Sequence, residues 1–303
     1  MQLTLTMNPF VDTDLLYAQQ LGVDWIVAEV PAWDGATLAA AKNRVEKAGL
    51  RLAGLGALPV PLVAQALSIG PEHEAAVAGI CRMVTDAGEV GIPSLGYAWS
   101  DSSAPLVVGV KPGRGETART VIRVEGDDTE LQGSDSSVSP RLLRFLQRVM
   151  PVAEAAGVRL AYRTGLATGS LSRVDELDRL FSLVGSPYHG LDLDHGFVTH
   201  VLGPRAGMTF EDVIRHFGGA GRIFAVRLRS LYTMDEGAAE IFPDEDREAT
   251  LRALQAYRAT GFDGPLCPLA APAMADDTAW GHKGIAFRIG YLRALLQALD
   301  HHP

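Results

Sequence analysis

The sequence predicts an α/β protein that folds as a (β/α)8 barrel, the TIM-barrel class. Short apolar runs of strand length recur along the chain, and an amphipathic helical stretch follows most of them. Runs rich in Val, Ile, Leu and Ala are typical of parallel strands that are buried on both faces. Eight such units in 303 residues match the size and repeat number of a TIM barrel. A doubly wound open sheet is the alternative, but no GxGxxG motif follows any run.

The first four units occupy the N-terminal third of the chain. Their predicted strands cover residues 3–7, 24–30, 51–58 and 92–100, and the helices between them cover 15–22, 36–49 and 71–91. Pro71 begins the third of these helices and Gly91 lies just beyond its end, which is the usual asymmetry of helix termini. Gly22 and Gly49 end the other two helices in the same way.

The other four units occupy the second half. Their predicted strands cover 157–164, 188–196, 221–230 and 264–272, and the helices cover 140–157, 171–185, 208–219, 246–261 and 283–300. A polar insertion at about 101–139 follows strand four, and alternation within 117–126 predicts a small exposed hairpin. The insertion is either a lid over the barrel mouth or a surface loop without a role. Because no Gly/Ser/Pro linker divides the chain, we expect one domain over 1–303.

Composition narrows the classes of partner. A net charge of −9 and a pI near 5.4 argue against nucleic acid, since phosphate contacts need a basic surface. No apolar run approaches the roughly 18 residues of a membrane helix, and the first residues lack the pattern of a secretory signal. Cys81 and Cys267 have no CxxC spacing, so we expect a reduced, cytoplasmic protein. The sequence leaves the oligomeric state open, a homo-oligomer included.

Polar and aromatic side chains lie at the ends of four predicted strands. In a TIM barrel the carboxyl ends of the strands meet at one mouth, where active sites form. We therefore expect these side chains to lie close together. They are Tyr97 and Trp99 after strand four, Arg163 after strand five, Asp192, Asp194 and His195 after strand six, and Arg227 and Arg229 after strand seven.

Four segments resemble motifs of one known family. Strand four reads GYAWSD (96–101) and is similar to a YNFMP segment, whereas strand seven reads IFAVRLRS (223–230) and is similar to a segment ending in HxRN. The sequence GFDGPLCPLAAP (261–272) resembles GYxGxxRPDHG, and HKGIAFRIGYLRAL (282–295) resembles YxGRxxAxGYLxGL. These motifs belong to the mannonate dehydratases, which are xylose-isomerase-like TIM barrels. The resemblance is clearest over 157–295.

The resemblance implies a lyase that removes water from a sugar acid to give a 2-keto-3-deoxy acid. Members of the family use a divalent metal, Mn²⁺ or Mg²⁺ by default, held by two His, one Cys and one Asp. The corresponding positions here are Arg163, Asp194, Arg227 and Leu269. Arginine has no lone pair to donate to a metal. We therefore expect that the metal site is absent and that no cofactor replaces it.

Two interpretations remain open for Arg163, Asp194 and Arg227. They form either a structural ion triad, since buried charges need partners, or an anion clamp that Arg229 extends. Guanidinium groups bind carboxylates through two parallel hydrogen bonds, so a clamp would suit a small anionic, sugar-derived substrate.

The candidates for proton transfer are Asp194, His195 and His282. His195 follows Asp194 and would be a general base oriented by a carboxylate, or an ordinary hydrogen-bonded histidine. His282 corresponds to a Tyr of the family and is either a proton-transfer group or solvated. Tyr97 and Trp99 would form an aromatic wall for a sugar ring or fill the core.

The expected function is therefore a lyase or isomerase that acts on a sugar acid or similar carboxylate without the metal of the family. The alternative is a catalytically inactive barrel that binds a small acid or a partner protein.

Overall fold

A computed structural model of the protein describes residues 1–98, 107–123, 138–165, 171–235, 237–269 and 272–301. The strands in this part of the chain are β1 (Gln2–Met7), β2 (Trp25–Ala28), β3 (Arg51–Ala57), β4 (Ser94–Tyr97), β5 (Val107–Pro112), β6 (Ala118–Ile122), β7 (Arg159–Arg163), β8 (His189–Asp194), β9 (Ile223–Leu228), β10 (Ser230–Met234), β11 (Gly237–Ile241) and β12 (Pro265–Pro268).

Eight of these strands form a closed parallel barrel in the order β1-β12-β9-β8-β7-β4-β3-β2. The TIM-barrel prediction is therefore confirmed. Seven of the predicted barrel strands contain a shorter observed strand, because residues beyond the strand ends do not join the ladder, whereas β1 begins one residue earlier than predicted.

The helices surround the barrel. They are α1 (Asp12–Gln20), α2 (Gly35–Lys47), α3 (Val60–Leu67), α4 (His73–Val90), α5 (Pro140–Ala156), α6 (Val174–Val184), α7 (His195–Phe197), α8 (Gly203–Ala206), α9 (Phe210–Gly219), α10 (Arg247–Ala259) and α11 (His282–His301). A π-helical turn at Val198–Leu202 joins α7 to α8. The sequence did not predict α3, α7 or α8, because these short segments carry no full amphipathic period. None of the helices described is long and apolar enough to cross a membrane.

Side chains alternate between the two faces of each barrel strand. The outer faces of β4, β7 and β8 carry Leu95, Leu160 and Leu191, each at most 1% exposed and packed in the main hydrophobic core. The inner faces carry small residues such as Gly96 and Ala161 below the strand ends. Bulky residues usually fill the interior of a TIM barrel, so the small residues leave space on its axis.

A second sheet of four antiparallel strands, in the order β10-β11-β6-β5, lies beside the barrel. We call it the side sheet. Strands β5 and β6 come from the insertion after β4, and Ile122 of β6 pairs with Ala238 of β11. The insertion does contain a hairpin, β5–β6, but only β6 comes from 117–126, and its Val121 and Ile122 are buried rather than exposed. Residues 101–106 and 124–137 of the insertion lie outside the described residues, and the lid role stays a prediction.

Candidate active site

Four charged residues point into the barrel at the ends of three neighbouring strands. The register sets Arg163 of β7 opposite Asp192 of β8, and Asp194 of β8 opposite Arg227 of β9. Asp192 and Asp194 are two residues apart on one strand, so both project to the same face. The strand ends therefore bring the two arginines and the two carboxylates into one cluster.

Asp192 connects the two arginines. Its Oδ2 accepts a hydrogen bond from Arg163 Nε at 2.8 Å, and its Oδ1 accepts one from Arg227 Nε at 3.1 Å. Burial raises the pKa of the Asp192 carboxyl, but the charges of Arg227 and Arg163 outweigh burial and hold the pKa below its ordinary value. The prediction that Asp194 lies between Arg163 and Arg227 is wrong. The register sets Asp192, two residues deeper in the barrel, directly opposite Arg163.

Asp194 has different partners. Its Oδ2 lies 3.1 Å from Arg229 Nη2 and 3.7 Å from Arg227 Nη1. Its Oδ1 accepts a hydrogen bond from the backbone N–H of Gly196 at 2.9 Å, which caps the first turn of α7. The Asp194 side chain is only 1% exposed, and both of its carboxylate oxygens have partners within the protein.

The ion cluster extends into the side sheet. Arg229 Nη1 lies 3.4 Å from Glu240 Oε1 on β11. Burial raises the pKa of Glu240, and the charge of Arg229 acts in the opposite direction. Arg288 of α11 donates to the carbonyls of Leu228, at 3.3 Å, and Ile241, at 3.0 Å. Four arginines and three carboxylates leave a formal net charge of about +1 in the cluster.

Sequence reasoning placed Asp192 at the end of strand six without giving it the central role, and it missed Glu240 and Arg288. Arg288 is 2% exposed and lies between the buried Ile289 and Gly284 on the inner face of α11. An arginine on the apolar stripe of an amphipathic helix was therefore a usable signal, because a buried cation needs a dedicated partner. Glu240 belongs to a strand that was not predicted, so no comparable signal existed.

Arg163 and Arg227 differ in how many of their donors are used. Arg227 also donates from Nη2 to the carbonyls of Thr164 and, at 3.5 Å, Asp192. Arg163 uses only Nε, and within the described part of the chain its two Nη groups have no hydrogen-bond partner. The Arg163 side chain is 26% exposed, compared with 14% for Arg227. Arg163 therefore presents an open guanidinium fork.

His195 does not join the cluster. It lies next to Asp194 in sequence, so its side chain projects to the opposite face, where Nδ1 lies 3.2 Å from the hydroxyl of Tyr257 on α10. Its ring also contacts Phe210 of α9, edge to face. Burial lowers the pKa of His195 to about 4, although the Asp194 carboxylate acts in the opposite direction. The expected Asp194–His195 pair is therefore not formed.

The aromatic wall expected from Tyr97 and Trp99 is not found at Tyr97. The Tyr97 side chain is fully buried on the outer face of β4, where its hydroxyl lies 2.7 Å from His189 Nε2 and its ring packs near Phe145 of α5. Burial raises the pKa of Tyr97 well above its ordinary value. Tyr97 is thus a core residue, whereas Trp99 lies outside the described residues.

His282 begins α11 and packs among aromatic side chains at the surface. Its ring centroid lies 4.6 Å from that of Tyr17 and 4.7 Å from that of Trp280. Its Nδ1 is hydrogen-bonded to the hydroxyl of Thr278. No contact described for His282 reaches the ion cluster, so the structure does not bring it together with Asp194.

The residues at the four metal-ligand positions do not fit a divalent cation. Two are the arginines Arg163 and Arg227, which have no lone pairs to donate. Leu269 has no ligating side chain, and its carbonyl accepts from Arg288. Asp194 is already committed to Arg229 and to α7. Across the described residues, no three His, Cys, Asp or Glu side chains are grouped so as to hold a metal.

Comparison with known proteins gives a consistent result. The sequence profile of the family described as D-mannonate dehydratase (UxuA) matches residues 130–303. Mannonate dehydratase 2 of Halalkalibacterium halodurans is 25% identical over 337 residues, covering 95% of this chain and 93% of the relative. A mannonate dehydratase of Thermotoga neapolitana is 33% identical over 97 residues, which cover 30% of this chain and 26% of that protein.

Solved structures support the fold. Mannonate dehydratase from Streptococcus suis serotype 2 superimposes with a TM-score of 0.81 at 17% identity, covering 98% of this chain and 94% of that one. A D-psicose 3-epimerase from Clostridium cellulolyticum H10 superimposes with a TM-score of 0.62 at 13% identity, covering 99% of each chain. At these identities the likeness concerns the xylose-isomerase-like barrel alone.

Proposed function

The chain belongs to the mannonate dehydratase family, and from this membership we propose that it is a lyase acting on a sugar acid without a divalent metal. The observation that carries the proposal is the ion cluster at the strand ends. Arg163 and Arg227 occupy positions where the family has metal ligands, and Asp192 fixes both of them. A guanidinium fixed in this way is a permanent positive charge that needs no cofactor.

Removing water from a sugar acid requires loss of the proton beside the carboxylate and departure of the neighbouring hydroxyl. Negative charge then builds up on the carboxylate oxygens, and fixed positive groups at that point lower the barrier. The proposal assigns this role to Arg163, whose Nη groups are open, with Arg227 supporting it through Asp192. Arg229 pairs with Asp194. It therefore adds positive potential to the site without contacting the substrate.

Of the three proton-transfer groups expected from the sequence, only Asp194 lies in the ion cluster. Because its carboxylate already pairs with Arg229 and caps α7, the proposal assigns proton transfer to none of the three. His195 faces α10, and His282 packs on Tyr17 at the surface. Asp194 lies inside the cluster, with Oδ2 between Arg229 and Arg227.

Turnover in the absence of metal tests the proposal directly. The purified protein is treated with EDTA, its metal content is checked by mass spectrometry, and it is then incubated with mannonate and a panel of sugar acids. We expect a 2-keto-3-deoxy product at the same rate with and without EDTA. Turnover that appears only after Mn²⁺ is added would overturn the metal-free proposal.

A second function is supported by the pairing of charges within the cluster. Arg227, Arg229 and Asp194 find their partners within the protein, as expected of a structural ion network. The barrel would then bind a sugar acid without converting it. Thermal stabilisation by a sugar acid, with no product after prolonged incubation, would favour this binding function over the lyase.

A further inference from the structure

We infer that the barrel interior beside Arg163 is a subsite for a single carboxylate group, so that a ligand enters carboxylate first. This inference deepens the proposed function and rests on its site, but it concerns binding rather than turnover. Three independent features carry it: the free donors of Arg163, the size of the neighbouring cavity, and the polar groups on the wall of that cavity.

The first feature is Arg163, which lines the cavity and whose two Nη groups have no hydrogen-bond partner among the described residues. Arg227 and Arg229 each contact two carboxylates, and Arg288 is committed to backbone carbonyls. Arg163 has one bond, to Asp192 Oδ2 at 2.8 Å. Its two Nη groups lie side by side in the geometry that binds both oxygens of a carboxylate.

The second feature is the cavity that Arg163 lines. It has a volume of about 40 Å³. A site that holds one water occupies roughly 10–15 Å³, so the cavity has room for a small polar group such as a carboxylate beside Arg163. The cavity exists because the wall carries Gly96, Ala161 and Ala225 where a TIM barrel usually has bulky residues.

The third feature is a polar pair on the cavity wall. Thr6 Oγ1 of β1 and Cys267 Sγ of β12 lie 3.3 Å apart, and both line the cavity with Arg163. A threonine hydroxyl has one donor and two acceptor lone pairs, so this pair leaves it capacity for a ligand oxygen. Burial raises the pKa of Cys267, which keeps the thiol neutral and free of charge repulsion toward an anion.

The net charge agrees with a monoanion. The cluster has a formal excess of about one positive charge (four arginines against three carboxylates), which one carboxylate neutralises. A phosphate dianion would leave an excess of negative charge in a buried site, which is costly. The charge of the cluster therefore favours a carboxylate over a phosphate dianion.

Binding measurements on the full-length protein test the inference. Acetate, gluconate, inorganic phosphate and glucose are titrated by calorimetry, and thermal unfolding is followed in parallel. We expect acetate and gluconate to bind, phosphate to bind at least 10-fold more weakly than acetate, and glucose to leave the melting temperature unchanged. Phosphate binding as tight as acetate binding would overturn the inference.

Two variants locate the subsite. Arg163→Met should weaken acetate and gluconate binding at least 10-fold, while Arg215→Met, at an exposed surface pair, should leave it unchanged. Ala161→Val keeps Arg163 but fills the cavity, and it should also weaken binding at least 10-fold. It serves as the deciding variant if Arg163→Met does not fold. Unchanged binding in the variant that folds would overturn the inference.

The outcomes separate this inference from the proposed function. A protein that binds acetate through Arg163 but never releases product keeps the subsite and refutes the lyase. A protein that converts a sugar acid equally well after Arg163→Met or Ala161→Val keeps the lyase and refutes the subsite.

Discussion

The two faces of strand β8 bury polar groups in different ways. The inner face carries Asp192 and Asp194, whose charges are matched by arginines from the neighbouring strands. The outer face carries His189, which bonds to the hydroxyl of Tyr97, and burial lowers the pKa of this histidine to about 3. Inside the barrel the two aspartates are paired with arginines. Under the helices, burial favours the neutral form of His189.

This contrast shows where the chemistry of the barrel can occur. A neutral histidine sealed under α6 by Phe181 has no route to a ligand in the mouth. The paired charges inside are close to a cavity and include Arg163, whose two Nη groups have no hydrogen-bond partner among the described residues. Only the inner face therefore combines charge with access.

The largest effect should come from removing a carboxylate on the inner face. Asp194→Ala leaves Arg229 and Arg227 without their shared partner and uncaps α7, so we expect a loss of about 3–5 kcal/mol in the free energy of unfolding. Urea unfolding measures it. Asp194→Asn keeps a capping oxygen but not the charge, and should fall between the parent and Asp194→Ala. If Asp194→Ala lost less than about 1 kcal/mol in the free energy of unfolding, the charge of Asp194 would not be essential for stability.

A smaller effect should distinguish the two arginines that share Asp192. Arg227→Met removes a buried guanidinium with several acceptors, although Arg163 and Arg229 still neutralise the carboxylates, so we expect a loss of about 2–3 kcal/mol. Arg163→Met removes a more exposed group with one bond and should cost about 1 kcal/mol. Arg215→Met provides the surface control in the same urea titrations. If Arg163→Met and Arg227→Met lost equal free energy of unfolding, Arg163 would not be the less tightly bonded of the two arginines.

The smallest effect concerns the outer face and depends on pH. Because the pKa of His189 is depressed in the folded state, the unfolded chain takes up a proton first as pH falls below about 6.5, and stability is lost toward the folded pKa near 3. Between pH 7.5 and 5 this amounts to about 2 kcal/mol. His189→Gln should remove that part of the acid sensitivity. Tyr97→Phe keeps the histidine, so it should retain the same loss on acidification, and an unaltered pH slope in His189→Gln would refute the assignment.

The fold could be predicted because eight apolar strands with intervening helices have one common solution in a chain of this length. The site was predicted in part. Arg163, Asp194, Arg227 and Arg229 do lie in one cluster, since the ends of parallel strands must meet. The central role of Asp192 depends on the register between β7 and β8, which apolar patterning does not specify.

The remaining errors have a common cause. Tyr97 and His195 were assigned to the mouth because they lie near strand ends, but side-chain alternation directs both to the helices. Counting alternate positions from Asp194 would have placed His195 on the outside. His282 was assigned from a motif position alone, and its actual neighbours depend on how α11 packs against α1.

The side sheet has a consequence for how the chain folds. Its two inner strands come from distant segments, since Ile122 pairs with Ala238 (238 minus 122, or 116 residues further on). At a synthesis rate of 5–20 residues per second, β6 emerges on the order of ten seconds before β11 exists. During that interval the β5–β6 hairpin has an unpaired edge, which is a point where nascent chains join one another. The free edge of β6 is covered only after β9, β10 and β11 have been synthesised, because β11 is the strand that pairs with it.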